Sequence, residues 1–297
     1  MPTLTYRPES GVDVRSTLGP MQNGPHDPTV RFAADGFWRA TRLRSGTATV
    51  HIRPDGAAFE IEAWGDGADE VLGLVPGWLG ARDTEPFETD HPLVAKLHRR
   101  HPRLRIGRSG DVMTALYVSV CGQKVTGLEA RRAWQLMVKH FGEAAPGPAD
   151  LRVAPAAERL AEVPYYDLHV IGLEKKRADL MRRVAVASRR LETVVDLPIE
   201  EAHDHLQRIA GIGPWTANEV AAVALGDTDA VSIGDFHLKN HVAWALARQA
   251  RATDDEMLEL LAPFAGHRAR VIRLIGLSGL SAPRRGPRLA PSNIGRL

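Results

Sequence analysis

The chain has 297 residues, of which 25% are charged and 44% hydrophobic, and its formal net charge is +2. This composition is that of an ordinary globular protein, and the length suggests two or three domains or subdomains. No stretch approaches the roughly 18 uninterrupted apolar residues of a transmembrane helix, which excludes a helical membrane protein. Because the net charge is small, affinity for a nucleic acid must come from a local excess of basic residues.

Cysteine content and the first residues bear on the compartment. Cys121 is the only cysteine, so no intramolecular disulfide can form, which indicates either a reducing compartment or a protein indifferent to the redox state of its compartment. The N-terminal stretch MPTLTYRPES lacks the basic and then apolar pattern of a signal peptide. We therefore expect a cytoplasmic protein.

The N-terminal region, residues 1–88, has the pattern of an antiparallel meander. Short aromatic or β-branched runs at 36–43, 47–53 and 57–64 are separated by turns that contain glycine. In the last run, apolar and acidic residues alternate, which predicts one buried face. A helix over 67–79 is expected to cover that face.

From residue 91 onward the hydrophobic pattern is helical. We predict helices over 111–121, 128–141, 155–162, 173–191 and 198–209, with a loop at the Pro- and Gly-rich stretch 144–153. The turn Gly-Gln-Lys-Val separates the first two of these helices. Beyond residue 280 the chain is rich in Pro, Gly and Arg without apolar periodicity, so a flexible basic tail is expected at 281–297.

Basic residues are clustered along the helical region. Five arginines lie between residues 99 and 108, and further clusters lie at 175–177, 182–183, 189–190 and 284–285. A basic cluster on a helix is more often a solvated face than a phosphate track. These clusters alone therefore do not predict a nucleic-acid partner.

The most informative stretch is LQRIAGIGPWTANEVAAVALG. Gly211, Ile212 and Gly213 are predicted to form a tight hairpin between two helices, because both glycines can take positive φ and Pro214 suits the first position of a helix. Gly226 is the expected C-terminal cap of the second helix. Free N–H groups and the helix dipole at such a hairpin favour an anion, and a phosphate would bind there without any particular base.

The remaining helices follow a polar loop, GDTDA. Asp235 opens the helical run FHLKNHVAWAL, and an Asp in that position is ordinarily an N-cap. Thr253 and Glu256 have the spacing of a capping box for a helix over 254–261. A last helix is predicted over 267–277.

Together, the hairpin and the Asp about twenty residues after it resemble the signature of the helix-hairpin-helix DNA glycosylases. The segment GIGPWTAN is most similar to the alkylated-base branch, the type II 3-methyladenine glycosylases. The resemblance implies an α+β protein with a small N-terminal antiparallel-sheet domain at 1–88. A two-lobed, all-α glycosylase domain would follow at 89–280, and then the tail at 281–297.

The resemblance also implies roles for individual residues. Asp235 matches the catalytic Asp of the family, while Gly211, Ile212, Gly213 and Thr216 match the DNA-binding hairpin. A carboxylate beside the sugar would stabilise the oxocarbenium-like charge that develops when the N-glycosidic bond breaks. The damaged nucleotide must first be flipped out of the duplex.

A second DNA contact is implied by the turn Gly-Gln-Lys-Val. It resembles the family's turn that enters the gap left by the flipped base, so Gln123, Lys124 and Val125 are expected to bind DNA. Relatives usually carry an apolar side chain in the gap. Here Lys124 or Val125 would have to fill it.

The base pocket is expected at Trp215, Glu219 and Phe264. Relatives that also cut the strand carry a lysine at the position of Trp215 and form a Schiff base with the sugar. A tryptophan cannot do this, so a monofunctional glycosylase is implied. Glu219 stands where close relatives have an aromatic residue, and it would either hydrogen-bond a base, stabilise a cation or face solvent. Phe264 would replace the missing aromatic.

Three hypotheses follow for the function. The first is a monofunctional DNA glycosylase that excises alkylated purines in base excision repair. The second is a glycosylase for an oxidised or deaminated base, and the third is a helix-hairpin-helix module that binds DNA without catalysis. The carboxylate of Asp235 favours the enzymes, because a binding module has no need of it.

Expected partners and cofactors complete the sequence-based hypothesis. We expect double-stranded DNA with damaged bases as the partner, a monomer, and no membrane association. No metal is expected apart from a monovalent cation that the family resemblance allows at the hairpin. Since the chain has one cysteine, the four-cysteine iron–sulfur cluster of the endonuclease III branch is excluded.

Overall fold

The computed structural model describes residues 1–283, so the tail expected at 281–297 falls almost wholly outside the described residues. The N-terminal part contains a five-stranded sheet whose strands pair antiparallel in the order β1-β5-β4-β3-β2. These strands are β1 (Thr3–Tyr6), β2 (Val30–Ala33), β3 (Gly36–Leu43), β4 (Gly46–Asp55) and β5 (Ala58–Trp64). The three longer strands confirm the predicted meander, whereas the edge strands are too short to show alternation.

One face of the sheet packs on the helix α2 (Ala68–Trp78), as the alternation along β5 predicts. Phe59, Ile61 and Ala63 of β5 are at most 5% exposed, and they share a hydrophobic cluster with Val71 of the helix. The sheet and α2 therefore form one layer each around a common core.

The opposite face of the sheet is also covered, which the sequence did not indicate. Trp38 stacks on His51 with ring centroids 3.9 Å apart, and it shares a small cluster with Leu151 and Val153. The stretch predicted to be a loop therefore packs on the sheet. It includes two paired two-residue strands, β6 (Glu143–Ala144) and β7 (Arg152–Val153). The Pro and Gly content of this stretch predicted a loop and did not indicate that it would be buried against the sheet.

Helices form the rest of the described chain. A short helix, α1, precedes the second strand, and twelve helices follow α2 within residues 1–283. They are α1 (Val14–Leu18), α3 (Pro92–Arg100), α4 (Val112–Gly122), α5 (Gly127–Phe141), α6 (Ala157–Glu162), α7 (Tyr165–Val170), α8 (Lys175–Val186), α9 (Ser188–Glu192), α10 (Ile199–Gln207), α11 (Pro214–Val220), α12 (Leu238–Ala247), α13 (Asp254–Leu261) and α14 (Arg268–Leu277).

The helices pack around two hydrophobic clusters. The central cluster contains residues from all the helices from α4 through α11. The terminal cluster contains residues from α3, α12, α13 and α14. These clusters are the two lobes of the predicted all-α part, so the α+β fold class is confirmed. The terminal cluster is discontinuous in sequence, because α3 precedes the central helices and packs on α14. The division at 88 and 280 stays a prediction.

Most predicted helices are present near their expected bounds. The capping box of Thr253 and Glu256 at α13 is confirmed. Gly226, with φ of 69°, caps the π-helical turn Ala221–Leu225 that continues α11. The single helix predicted over 173–191 is wrong in one respect, since it is broken into α8 and α9. At Ala187 the backbone leaves helical geometry, with ψ of 6°. No helix in the described part of the chain is long and apolar enough to cross a membrane.

Candidate active site

The two glycines of the hairpin between α10 and α11 differ: Gly211 has positive φ, and Gly213 has open space in front of it. Gly211 has φ of +103°, which only glycine adopts readily, while Gly213 is extended with φ of −101° and forms the N-cap of α11. Positive φ is thus required at one of the two positions only. A Cβ added at Gly213 would meet no atom of the chain within 4 Å. The space in front of this residue is therefore open to another molecule.

Gln123 ties the end of α4 to the hairpin. Its side-chain amide donates to the carbonyl oxygen of Gly211 at 3.0 Å and to the hydroxyl of Thr216 at 2.9 Å. The structure thus brings together two segments that the sequence assigns separately to DNA binding. Thr216 is only 1% exposed and Ile212 4%, so these two side chains lie within the hairpin, and its outer surface is backbone.

The turn after Gln123 presents three further side chains. Lys124 is exposed and has φ of 55°, a left-handed conformation that is uncommon outside glycine, and Val125 is half-buried. Leu128, in the first turn of α5, is 62% exposed. It is the large apolar side chain that the start of this helix leaves in solvent. Its position outside the apolar stripe of α5 was the sequence signal that could have found it.

Asp235 combines a capping role with a contact to the hairpin helix. One oxygen, Oδ1, accepts the backbone N–H groups of His237 and Leu238, both at 2.8 Å, where α12 begins. The other oxygen, Oδ2, accepts the indole N–H of Trp215 at 3.3 Å. Because three donors hold the carboxylate, its position relative to α11 is fixed.

Glu219 lies one turn beyond Trp215 on α11, next to the same carboxylate. The hydroxyl of Ser232 donates to its Oε1, and the backbone N–H of Val231 donates to Asn218 at 3.0 Å. Burial raises the pKa of Glu219, and the negative charge of Asp235 raises it further. Asn218 and Ser232 could not be singled out from the sequence, because their contacts span thirteen residues.

Apolar side chains border the carboxylates. The ring of Trp215 packs against Gly122, where an added Cβ would approach it to 3.3 Å. Phe236 and Ile233, on either side of the Gly-Asp pair, are 66% and 37% exposed. Phe264 is instead 5% exposed in the terminal cluster, and its described ring contact is with His91, at 5.9 Å. The structure does not bring it into described contact with Trp215.

A basic groove adjoins the hairpin on the side of α8 and α10. It has a volume of about 620 Å³, and exposed arginines dominate its lining. The guanidinium of Arg183 donates from Nε to the carbonyl of Ala210 at 3.1 Å, so the groove is continuous with the hairpin. The lining residues are Ala161, Asp179, Arg182, Arg183, Val186, Arg190, Arg208, Ile209 and Ala210.

The hairpin carbonyls bear on the monovalent cation that the family allows. The carbonyl oxygens of Ile209, Ala210 and Gly211 each accept a hydrogen bond from the chain, namely from Ile212, Arg183 and Gln123. A carbonyl oxygen has two lone pairs, so these hydrogen bonds leave the monovalent cation at the hairpin a prediction. Within residues 1–283, no three His, Cys, Asp or Glu side chains are grouped as metal ligands.

Comparisons with known proteins show what the chain is similar to. No protein-family profile matches the chain. DNA-3-methyladenine glycosylase of Bacillus subtilis (strain 168) is 28% identical over 213 residues, which is 69% of this chain and 70% of that protein.

Two solved structures share the fold. The 3-methyladenine DNA-glycosylase of Archaeoglobus fulgidus matches 93% of this chain and 98% of its own, with a TM-score of 0.76 and 18% identity. The 8-oxoguanine glycosylase/lyase of Clostridium acetobutylicum, solved in complex with double-stranded DNA, matches 89% of this chain and 90% of its own, with a TM-score of 0.66 and 13% identity. In sequence and in fold the chain is therefore similar to the helix-hairpin-helix DNA glycosylases, and among them to the 3-methyladenine glycosylases.

Proposed function

We propose that the protein is a monofunctional DNA glycosylase that flips out alkylated purine bases and hydrolyses their N-glycosidic bonds in base excision repair. The observation that carries this proposal is the contact between Asp235 and Trp215. It places a fixed carboxylate beside an aromatic side chain, on the helix that opens at the hairpin. A module that only bound DNA would need the hairpin but not this carboxylate.

The hairpin and the turn after α4 would hold the duplex. The first-turn N–H groups of α11 have no acceptor within their own helix, and the open space at Gly213 lets a phosphate approach them. Gln123 braces this arrangement from α4. Lys124 would contact the phosphate backbone of the DNA. The exposed side chain of Leu128 would enter the gap left by the flipped nucleotide.

Chemistry would take place between Asp235 and the flipped base. As the bond between C1′ and the base nitrogen breaks, the sugar acquires positive charge, and the carboxylate of Asp235 stabilises it. The hydrogen bonds from His237 and Leu238 hold that carboxylate in place, so little reorganisation accompanies the reaction. Water then completes the hydrolysis at C1′.

Alkylated purines suit the apolar surfaces at this site. Bases such as 3-methyladenine and 7-methylguanine carry positive charge or a weakened glycosidic bond, so an aromatic wall can bind them by cation–π attraction. Trp215 would form one wall, and Phe236, exposed beside Asp235, is placed to form a second. Phe264 would support the site from the core rather than touch the base.

Base release without strand cleavage is the first expected result. On duplex DNA that carries 7-methylguanine, the protein should release the base and leave an intact abasic strand, because Trp215 cannot form a Schiff base with the sugar. The measurement is chromatography of the free base, with gel analysis before and after alkali. Borohydride should trap no covalent complex, and strand cleavage before alkali would contradict the monofunctional assignment.

Salt dependence of DNA binding tests the basic groove. Arg190 and Arg208 are exposed at its rim, so replacing both with alanine should remove about two phosphate contacts. The slope of log K against log salt should become shallower by about 2 units, and affinity at 0.1 M salt should fall by about tenfold. Fluorescence anisotropy with a short duplex measures both quantities.

The matched control removes the same charge elsewhere. Arg31 and Arg53 are exposed on the N-terminal sheet and outside the groove, so their double alanine variant should keep the wild-type slope. Equal slopes for both double variants would show that the groove does not contact DNA. We also propose that the protein acts as a cytoplasmic monomer, which size-exclusion chromatography and cell fractionation would test.

A further inference from the structure

The mechanism above leaves the carboxyl group of Glu219 unused, although it lies in the same site as Asp235. Glu219 is one helical turn from Trp215, whose indole contacts Asp235. It is also bonded to Ser232, which precedes Asp235 by three residues. Glu219 is thus linked to the site of Asp235 twice, through Trp215 on the same helix and through Ser232 in the preceding loop, and it is half-buried.

The surroundings of Glu219 favour its protonated form. Burial is the largest cause that raises its pKa, and the charge of Asp235 adds to the effect, while the hydroxyl of Ser232 opposes it. The neighbouring carboxylates of the same loop have other partners, since Asp227 lies 3.6 Å from His203. Asp229 accepts a hydrogen bond from the guanidinium of Arg268 at 2.9 Å. Helix α4, which packs on α11, carries no Asp, Glu, Lys, Arg or His. Helix α10, which also packs on α11, carries Glu200, Glu201, His203, Asp204 and His205.

We propose that Glu219 is a general acid that delivers its proton to the leaving base, so that the enzyme also excises lesions whose base is uncharged in DNA. This inference rests on the proposed glycosylase function. A cationic alkylated base leaves as a neutral molecule and needs no acid. An uncharged base leaves as an anion unless a proton reaches it, so a donor in the pocket matters for this class alone.

In the proposed step, an electron pair and a proton both move to the departing base. The bond between C1′ and the base nitrogen breaks, and its electron pair goes to the base while the proton of Glu219 moves to a ring nitrogen of that base. The oxygen of a water molecule forms the new bond to C1′ and gives up one proton. Glu219 regains a proton from solvent, so the net reaction adds one water across the glycosidic bond.

The test compares an uncharged probe with a cationic one. Duplexes with a single hypoxanthine, which is deaminated adenine, or a single 7-methylguanine are incubated with excess wild-type protein or Glu219→Gln. The ratio of the hypoxanthine rate to the 7-methylguanine rate should fall by about 100-fold in the variant. Glu200→Gln, on the exposed first turn of α10, is the matched control and should keep the wild-type ratio.

A pH profile separates acid catalysis from a structural role. The wild-type hypoxanthine rate should fall about tenfold per pH unit above the pKa of Glu219, because only the protonated form donates. This decline should be absent in Glu219→Gln. In Ser232→Ala it should move to higher pH, since the hydroxyl that stabilises the carboxylate is gone. If Glu219→Gln does not fold, the Ser232→Ala profile alone decides.

The other outcomes overturn one inference or both. Release of 7-methylguanine without any release of hypoxanthine by the wild type would remove the acid role and leave the proposed function standing. An equal loss of both rates in Glu219→Gln would assign Glu219 a structural role. Release of neither base would overturn the proposed function as well.

Discussion

Replacing Asp235 with asparagine will lower the single-turnover rate of 7-methylguanine release by at least about 10³-fold, while affinity for the same duplex stays within about threefold. The reason is charge. An amide has nearly the shape of a carboxylate, but it cannot stabilise the positive sugar in the transition state. Single-turnover kinetics and fluorescence anisotropy give the two quantities on one preparation.

Asparagine is the informative substitution because Asp235 is also a cap. Its Oδ1 accepts two backbone N–H groups at the start of α12, and the amide oxygen of asparagine can accept both. Asp235→Ala would lose these bonds as well and destabilise the protein by about 1 kcal/mol. Comparing the two variants separates the loss of charge from the loss of the cap.

A control for net charge is available nearby. Asp255 is exposed on the first turn of α13, so Asp255→Asn makes the same change in charge and should keep the rate. If Asp235→Asn retained more than a tenth of the wild-type rate, Asp235 would be chiefly a cap. Loss of DNA binding in that variant would lead to the same conclusion.

Local signals in the sequence predicted the parts of the site that depend on nearest neighbours. Gly211 and Pro214 indicate the hairpin because positive φ and a missing N–H have local causes. The capping box at Thr253 and the cap at Gly226 are likewise contained within a few residues. The alternation along β5 predicted a buried face for the same reason.

Contacts between distant segments could not be predicted in this way. Gln123 reaches Gly211 across 88 residues, and Ser232 reaches Glu219 across thirteen. No periodicity or motif states which loop will meet which helix, so these pairs appear only once the helices are packed. Phe264 illustrates the opposite difficulty: the sequence indicated a pocket residue, but its side chain packs in the terminal cluster.

A buried ion pair joins the N-terminal sheet to the start of α4, the helix that Gln123 follows. Arg39 of β3 donates to Asp111 at 3.0 Å, and the side chains of the two residues are 4% and 6% exposed. Asp111 also accepts hydrogen bonds from the hydroxyl of Thr41 at 2.8 Å and from the backbone N–H of Thr114 at 3.0 Å. Through the second of these bonds, Asp111 caps α4. Burial lowers the pKa of Arg39, and the carboxylate of Asp111 opposes this effect only in part.

Asp111→Ala should therefore lower the free energy of unfolding by about 3–5 kcal/mol, because it leaves the guanidinium of Arg39 buried without its counter-ion. Urea unfolding followed by circular dichroism measures the change. Asp179→Ala, which breaks the exposed pair with Lys175, is the matched control and should cost less than about 1 kcal/mol. A loss below about 1 kcal/mol in Asp111→Ala would show that water solvates Arg39.

The double variant Arg39→Met with Asp111→Leu separates the effect of the two charges from the effect of packing at the same positions. Removing both charges leaves none stranded, so this variant should recover much of the stability lost in Asp111→Ala, apart from the cap of α4. If it did, the sheet would stabilise α4 by packing, and the ion pair would fix how α4 lies on the sheet. Because Gln123 follows α4 and holds the hairpin, the N-terminal sheet would then act on DNA binding through this helix.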